Sequence, residues 1–181
     1  NTDSELWLIG LGAGKQRLGG SILAQVHAGD QPLPAFAGAA PDLDDPQRLR
    51  AFFELIRDAR RDGLLRAYHD RSDGGAFAAL CEMAFASRMG LEINLDAWGD
   101  DPFRSLFNEE LGAVVQIADA DRAAFADLIE RHALTECAQR IARPVTAVVP
   151  QAGLFGGPSD PLSPFDQLLD HQPIFGAQQA A

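Results

Sequence analysis

The chain has 181 residues, 46% hydrophobic and 23% charged, with a formal net charge of −11 at pH 7. That length can bury a core, and this balance is globular rather than disordered. So acidic a chain argues against a DNA- or RNA-coating surface, which needs clustered Lys and Arg, but leaves room for a nucleotide pocket built from a few local donors and a metal ion.

Residues 6–9 form an apolar run closed by Gly10, Gly12 and Gly14, which predicts a buried strand entering a glycine loop. Ser21 reads as the cap of a short helix over 22–26, and residues 28–44, rich in Ala, Gly, Pro and Asp, as an irregular excursion. The clearest helix follows, with Asp45 as N-cap, Pro46 at its first position and Gly63 as its stop. Leu49, Phe52, Phe53, Ile56 and Ala59 make its apolar stripe, and Arg48, Arg50, Arg57, Arg60 and Arg61 its solvated side or a partner surface. Residues 64–69 predict a strand that delivers Asp70 to a loop. A helix follows Gly74 and Gly75, with Phe77, Leu80, Cys81, Ala84 and Phe85 facing inward and Gly90 ending it. Strands are expected over 91–95, 113–117 and 145–149, and a helix carrying Phe125, Leu128 and Ile129 starts near Asp119 or Asp121. Strands alternating with helices predict an α+β fold, a layered α/β domain with a mixed sheet over 1–149, followed by an irregular tail over 150–181.

Cys81 and Cys137 make no disulfide framework, and Cys81 reads as a buried free thiol. No basic N-region leads into an apolar stretch, and no apolar run reaches the roughly 20 residues of a membrane span, so a cytoplasmic protein is expected. The start at Asn1, running almost at once into a strand pattern, reads as a segment cut from a longer chain.

The loop from Gly10 to Lys15 matches neither nucleotide fingerprint: Lys15 stands where the dinucleotide motif needs its third glycine, and Gln16 where the phosphate loop needs Ser or Thr. Leu18-Gly-Gly-Ser21 suits either a tight turn or an anion contact through backbone N–H groups. His69-Asp-Arg-Ser-Asp-Gly-Gly75 is denser: two carboxylates, a hydroxyl and a guanidinium stand between a strand and a helix. Carboxylates suit Mg²⁺, which holds nucleotide phosphates, while Ser72 and the amides at the helix start, Gly74 and Gly75, suit phosphate oxygens. Asp73 reads as an N-cap or a metal ligand, Arg71 as paired with an acid, and His69 as a satisfied, half-buried histidine. Asp70 is the hardest to explain structurally. Glu109 and Glu110 are neighbours that cannot share one strand face, so a solvated or helix-end role is their default. Asp119 and Asp121 read as helix caps, and His27, His132 and His171 have no metal-ligand spacing.

Four segments, taken in order, resemble the large, single-chain bacterial phosphoribosylformylglycinamidine synthases: Leu18-Gly-Gly-Ser-Ile-Leu-Ala-Gln25, Ala67-Tyr-His-Asp-Arg-Ser-Asp-Gly-Gly75, Glu82-Met-Ala-Phe-Ala86 and Leu106-Phe-Asn-Glu-Glu-Leu-Gly-Ala113. The resemblance runs over roughly residues 5–142 and points to the C-terminal half of the second of two repeats, each similar to aminoimidazole ribonucleotide synthetase. It implies the fold of that synthetase's C-terminal domain and a place in an ATP-dependent, glutamine-using ligase of purine biosynthesis. It further implies ATP or ADP and Mg²⁺ as ligands, with Asp70 on the metal and Ser72, Gly74 and Gly75 at the nucleotide, in an auxiliary rather than a catalytic site. No catalytic residue is carried over. The partners implied are the sister repeat and a glutaminase domain of the same polypeptide, with no nucleic acid and no membrane. Asn108 departs from the Ser of many relatives, and the stretch from Arg143 onward matches nothing in the family pattern.

Overall fold

The computed structural model describes residues 2–28, 38–96, 98 and 101–146. Asn1–Ala147 form one compact unit; residues 148–181, which include the expected tail over 150–181, and the 29–37 part of the excursion lie outside the described residues. In chain order the elements are β1 (Ser4–Gly10), α1 (Ile22–Ala28), α2 (Pro46–Arg61), β2 (Leu65–Asp70), α3 (Gly75–Ser87), β3 (Gly90–Ile93), α4 (Pro102–Phe107), β4 (Gly112–Ala118), α5 (Arg122–Arg131) and β5 (Ala138–Val145). The α+β class holds.

The five strands order as β2-β4-β1-β5-β3, and every pairing is antiparallel, where the sequence had suggested a mixed sheet. The pleat sends alternate side chains of the central strands to opposite faces. Ile9, Ala113, Val115 and Ile117 meet Phe52, Leu55 and Ala59 of α2 and Phe125, Leu128 and Ile129 of α5. Leu6, Leu8 and Val114 meet Ala76, Ala79 and Leu80 of α3, together with Trp98. Helices therefore cover both faces, which is why β1 and β4 read as near-continuous apolar runs.

Helix α2 starts as its sequence predicts. The Asp45 carboxylate accepts from the amides of Gln47 and Arg48 at 2.9 and 3.1 Å, and Pro46 has no N–H to leave orphaned. At its other end Gly63 adopts φ +73°, and Leu64 and Gly63 donate back to Ala59 and Arg60, which closes the last turn. The apolar stripe differs by one position: Leu55 is fully buried while Phe53 is 62% exposed.

Three further expectations are corrected. Helix α3 ends on Arg88 in a left-handed conformation (φ +54°), not on Gly90, which begins β3, and Phe85 points outward, 77% exposed. The last described strand is β5, which was not anticipated and pairs with β1 and β3, ending at Val145; of the strand expected over 145–149, residues 147–149 lie outside the described residues. Helix α4 was not anticipated. Its start repeats the chemistry of α2: Asp101 caps Phe103 and Arg104 at 3.0 Å each, ahead of Pro102. The free thiols divide, with Cys137 buried and Cys81 half-buried.

Candidate functional site

Strand β2 ends at Asp70, and the loop that follows turns under the β1–β4 end of the sheet before α3 begins. Asp70 and Ser72 are both exposed there. The Tyr68 hydroxyl donates to Asp70 Oδ1 at 2.5 Å; burial, and then this carboxylate, push the phenol's pKa upward, so it remains a donor. His69 fits its structural reading. Its Nδ1 donates to the Asp70 carbonyl at 2.7 Å, and its Nε2 meets Glu82 Oε2 at 2.5 Å. The Asp70 carbonyl favours the protonated ring most, burial opposes it and Glu82 favours it again, leaving the pKa above its ordinary value.

The two glycines have conformational work. Gly74 (φ +80°) is the N-cap of α3, and Gly75 (φ +67°) packs so closely on the α4 end that a Cβ would lie 2.6 Å from the Leu106 carbonyl. Both amides have partners: Gly74 N–H donates to Glu109 Oε1 at 2.9 Å and Gly75 N–H to the Ser72 carbonyl at 2.9 Å. Asp73 is exposed and makes no cap bond, because Gly74 occupies the cap position.

Glu109 takes the helix-end role expected of it, and Glu110 departs from its sequence reading. Glu109 Oε1 also accepts from Ile22 N–H at 2.8 Å, so one carboxylate oxygen ties the start of α1 to the Gly74 loop. That brings Leu18-Gly-Gly-Ser21 beside His69-Asp-Arg-Ser-Asp-Gly-Gly75. Ser21 does act as a cap, its hydroxyl accepting from Ala24 N–H at 3.2 Å. Glu110 is 1% exposed and takes Arg17 in a fork, Nε to Oε1 and Nη2 to Oε2 at 2.6 Å each, with Arg17 N–H adding a bond of 3.0 Å. Gly12 makes room for that carboxylate: a Cβ there would come within 2.9 Å of it. Asp44 takes the remaining charge of Arg17 and that of Lys15, at 2.7 Å each.

Arg71 is not paired with an acid among the described residues. It is 8% exposed and held by carbonyls, Nε to Glu110 at 2.5 Å and Nη2 to Leu111 at 3.1 Å. Burial lowers its pKa to about 10, which still leaves it charged at neutral pH. Asn108, 2% exposed, closes α4 by donating to the carbonyls of Arg104 and Ser105 at 2.6 and 3.1 Å. Neither Asp119 nor Asp121 caps α5 through a side chain. Asp119 instead pairs with Arg143 at 2.6 Å, and His132 pairs with Asp58 at 3.1 Å. Among the described residues no three His, Cys, Asp or Glu side chains gather to hold a metal ion, and no helix is long and apolar enough to cross a membrane. His171 lies outside the described residues.

The helix-covered antiparallel sheet and the glycine loops gathered at one of its ends define a class. Residues 4–147 match the family described as AIR synthase related protein, C-terminal domain, and the chain belongs to that family. The match extends through β5 to residue 147 and so takes in the first residues of the stretch from Arg143 onward, but not those beyond 147. Over 142 residues the chain is 43% identical to the phosphoribosylformylglycinamidine synthase of Schizosaccharomyces pombe (strain 972 / ATCC 24843), an alignment covering 77% of this chain and 10% of that protein. The chain thus spans about a tenth of that relative's length. Among solved structures, T. maritima PurL complexed with ATP superposes with a TM-score of 0.60 at 16% identity, covering 81% of this chain and 22% of that one. E. coli HypE, a hydrogenase maturation protein, superposes with a TM-score of 0.54 at 21% identity, covering 87% and 48%. At such identities these two likenesses speak to the fold alone.

Proposed function

We propose that this chain is a domain of a phosphoribosylformylglycinamidine synthase, the ATP-dependent, glutamine-using ligase that converts formylglycinamide ribonucleotide to its amidine in purine biosynthesis. Its role there is to supply one wall of a Mg-nucleotide site, the auxiliary one of the enzyme's two. The observation that carries this reading is the placement of Asp70 and Ser72, both exposed at the end of β2, beside a glycine-bearing helix start. Support comes from the identity to the S. pombe synthase and from T. maritima PurL, which is described in complex with ATP and with ADP.

Asp70 suits Mg²⁺ in kind and number. It is a hard oxygen donor, and Mg²⁺ takes only one or two protein carboxylates alongside phosphate oxygens and waters. The ion, when bound, neutralises phosphate charge; Asp70 orients it, Tyr68 fixes the carboxylate, and the Ser72 hydroxyl donates to a phosphate oxygen. Gly74 and Gly75 contribute close backbone approach rather than free amides, since both N–H groups are engaged. The other ligands belong to other parts of the same polypeptide, the ammonia source to a glutaminase domain, and the assembly to the cytoplasm. By itself the chain is expected to be inactive.

Calorimetric titration of Mg-ADP into the chain and into Asp70→Asn tests the reading. Asp70→Asn is expected to bind at least about tenfold more weakly. Equal affinity removes Asp70 from the metal shell. The engagement of both glycine amides also favours a second reading, a packing module with no ligand of its own, and failure of the unsubstituted chain to bind Mg-ADP would decide for it.

A further inference from the structure

A cleft of about 410 Å³ opens beside the loop after β1, lined in part by Gly10, Gln16, Arg71, Trp98, Ser105 and Gln139. Its size is that of a small-ligand site. Two of its walls are electrically incomplete. Arg71 carries a charge at 8% exposure with only two carbonyls against it and, among the described residues, no carboxylate in ion-pair contact; the nearby Glu110 carboxylate is already taken by Arg17. Burying such a charge without a counter-ion is costly. Trp98 is 5% exposed, and its indole N–H is the buried side-chain donor that finds no partner among the described residues. The same residue's main-chain carbonyl is doubly served, by Gln16 Nε2 at 2.7 Å and Ser105 Oγ at 3.0 Å, so its backbone is held while its indole N–H goes unused. Buried donors in native proteins are nearly always satisfied, and an exception calls for an explanation.

We propose that this cleft binds a small oxyanion, a phosphate or a carboxylate group, received by the Arg71 guanidinium and the Trp98 indole N–H. Lys15 also lines the cleft, but Asp44 already holds its charge; Glu136, the acid that lines the cleft, is 89% exposed to solvent and so weakly felt. Neither Asp70 nor Ser72 lines the cleft, so the site stands apart from the nucleotide wall proposed above and does not depend on it.

The chain holds two tryptophans, so its indole N–H groups give two NMR signals, which Trp98→Phe assigns. In the 181-residue chain, sodium phosphate and sodium acetate are added in separate arms at constant ionic strength against chloride. The Trp98 signal is expected to move saturably in at least one oxyanion arm and not with chloride. The Trp7 signal should stay, because Glu5 already accepts that N–H at 2.8 Å. A response to phosphate alone identifies a phosphoryl group; a response to acetate identifies a carboxylate. By calorimetry, Trp98→Phe, which keeps the ring's packing, and Arg71→Lys are each expected to weaken binding about tenfold. No saturable movement in either arm overturns the proposal. So does binding that survives Trp98→Phe but is lost in Ser72→Ala, which would put the anion at the β2 end instead.

Discussion

Residue identity reveals chemistry here more readily than engagement. Asp70 and Ser72 stand exposed, and His69 is the satisfied strand-end histidine its position suggested. Glu110 and Arg71 were misread for one reason: the partners of buried charges lie far along the chain. Glu110 and Arg17 are 93 positions apart, and the carbonyls that hold Arg71 are 39 and 40 away, distances no local spacing rule can span. One signal was present, since Gly12, with no side chain, is what leaves space for the Glu110 carboxylate. The His69–Glu82 contact yields a prediction at this scale. Folding raises the His69 pKa, so the pair's stabilisation is fully present below the unfolded value of about 6.5 and is lost as pH rises through the higher folded value. Glu82→Gln should lower the His69 titration midpoint followed by NMR and destabilise the chain more at about pH 5.5 than at about pH 9. An unmoved midpoint would show that the Asp70 carbonyl alone sets the shift.

Among the elements, those legible in advance carry their own punctuation. Asp45 and Pro46 open α2 and Gly63 closes it, all within the helix's own stretch of chain. Asp45→Ala should therefore cost about 1 kcal/mol in chemical denaturation, and no loss would show that tertiary packing alone fixes the start of α2. The same Asp-Pro pair opens α4, but six residues are too few to display a helical period, so the signal went unused. Strand β5 was missed because Gln139, Arg140 and Arg143 dilute its apolar pattern. Those arginines are not there for solvent alone: Arg140 and Arg143 approach Glu5, and Arg143 also holds Asp119. Phe53 and Phe85 err in the opposite sense, since each falls within a helical stripe that is wider than the face its layer covers.

For the molecule as a whole, one buried acid binds three segments together. Glu5, fully buried in β1, accepts from Arg122 at the start of α5 at 2.9 and 2.7 Å and from Trp7 at 2.8 Å, and Arg140 of β5 approaches to 3.5 Å. Burial opposes its ionisation, but the bonds from Arg122 and Trp7 outweigh it and hold the carboxyl below the ordinary range. Since folding depresses this pKa, its stabilisation is present above the unfolded value of about 4.3 and lost as pH falls through the folded one. Glu5→Gln should lower the thermal midpoint at neutral pH and narrow the gap to the parent chain in acid. A gap independent of pH would mean the loss is one of packing. By itself the sequence determined the α+β class, the capped helix α2, the apolar β1 and β4 and the polar loop at 69–75, because each is written in neighbouring residues through period, cap or glycine. Only the tertiary structure decided the all-antiparallel order of the sheet, the convergence of two glycine loops on Glu109 and the burial of Arg71 beside the cleft, because those depend on which distant segments the closing of the sheet brings into contact.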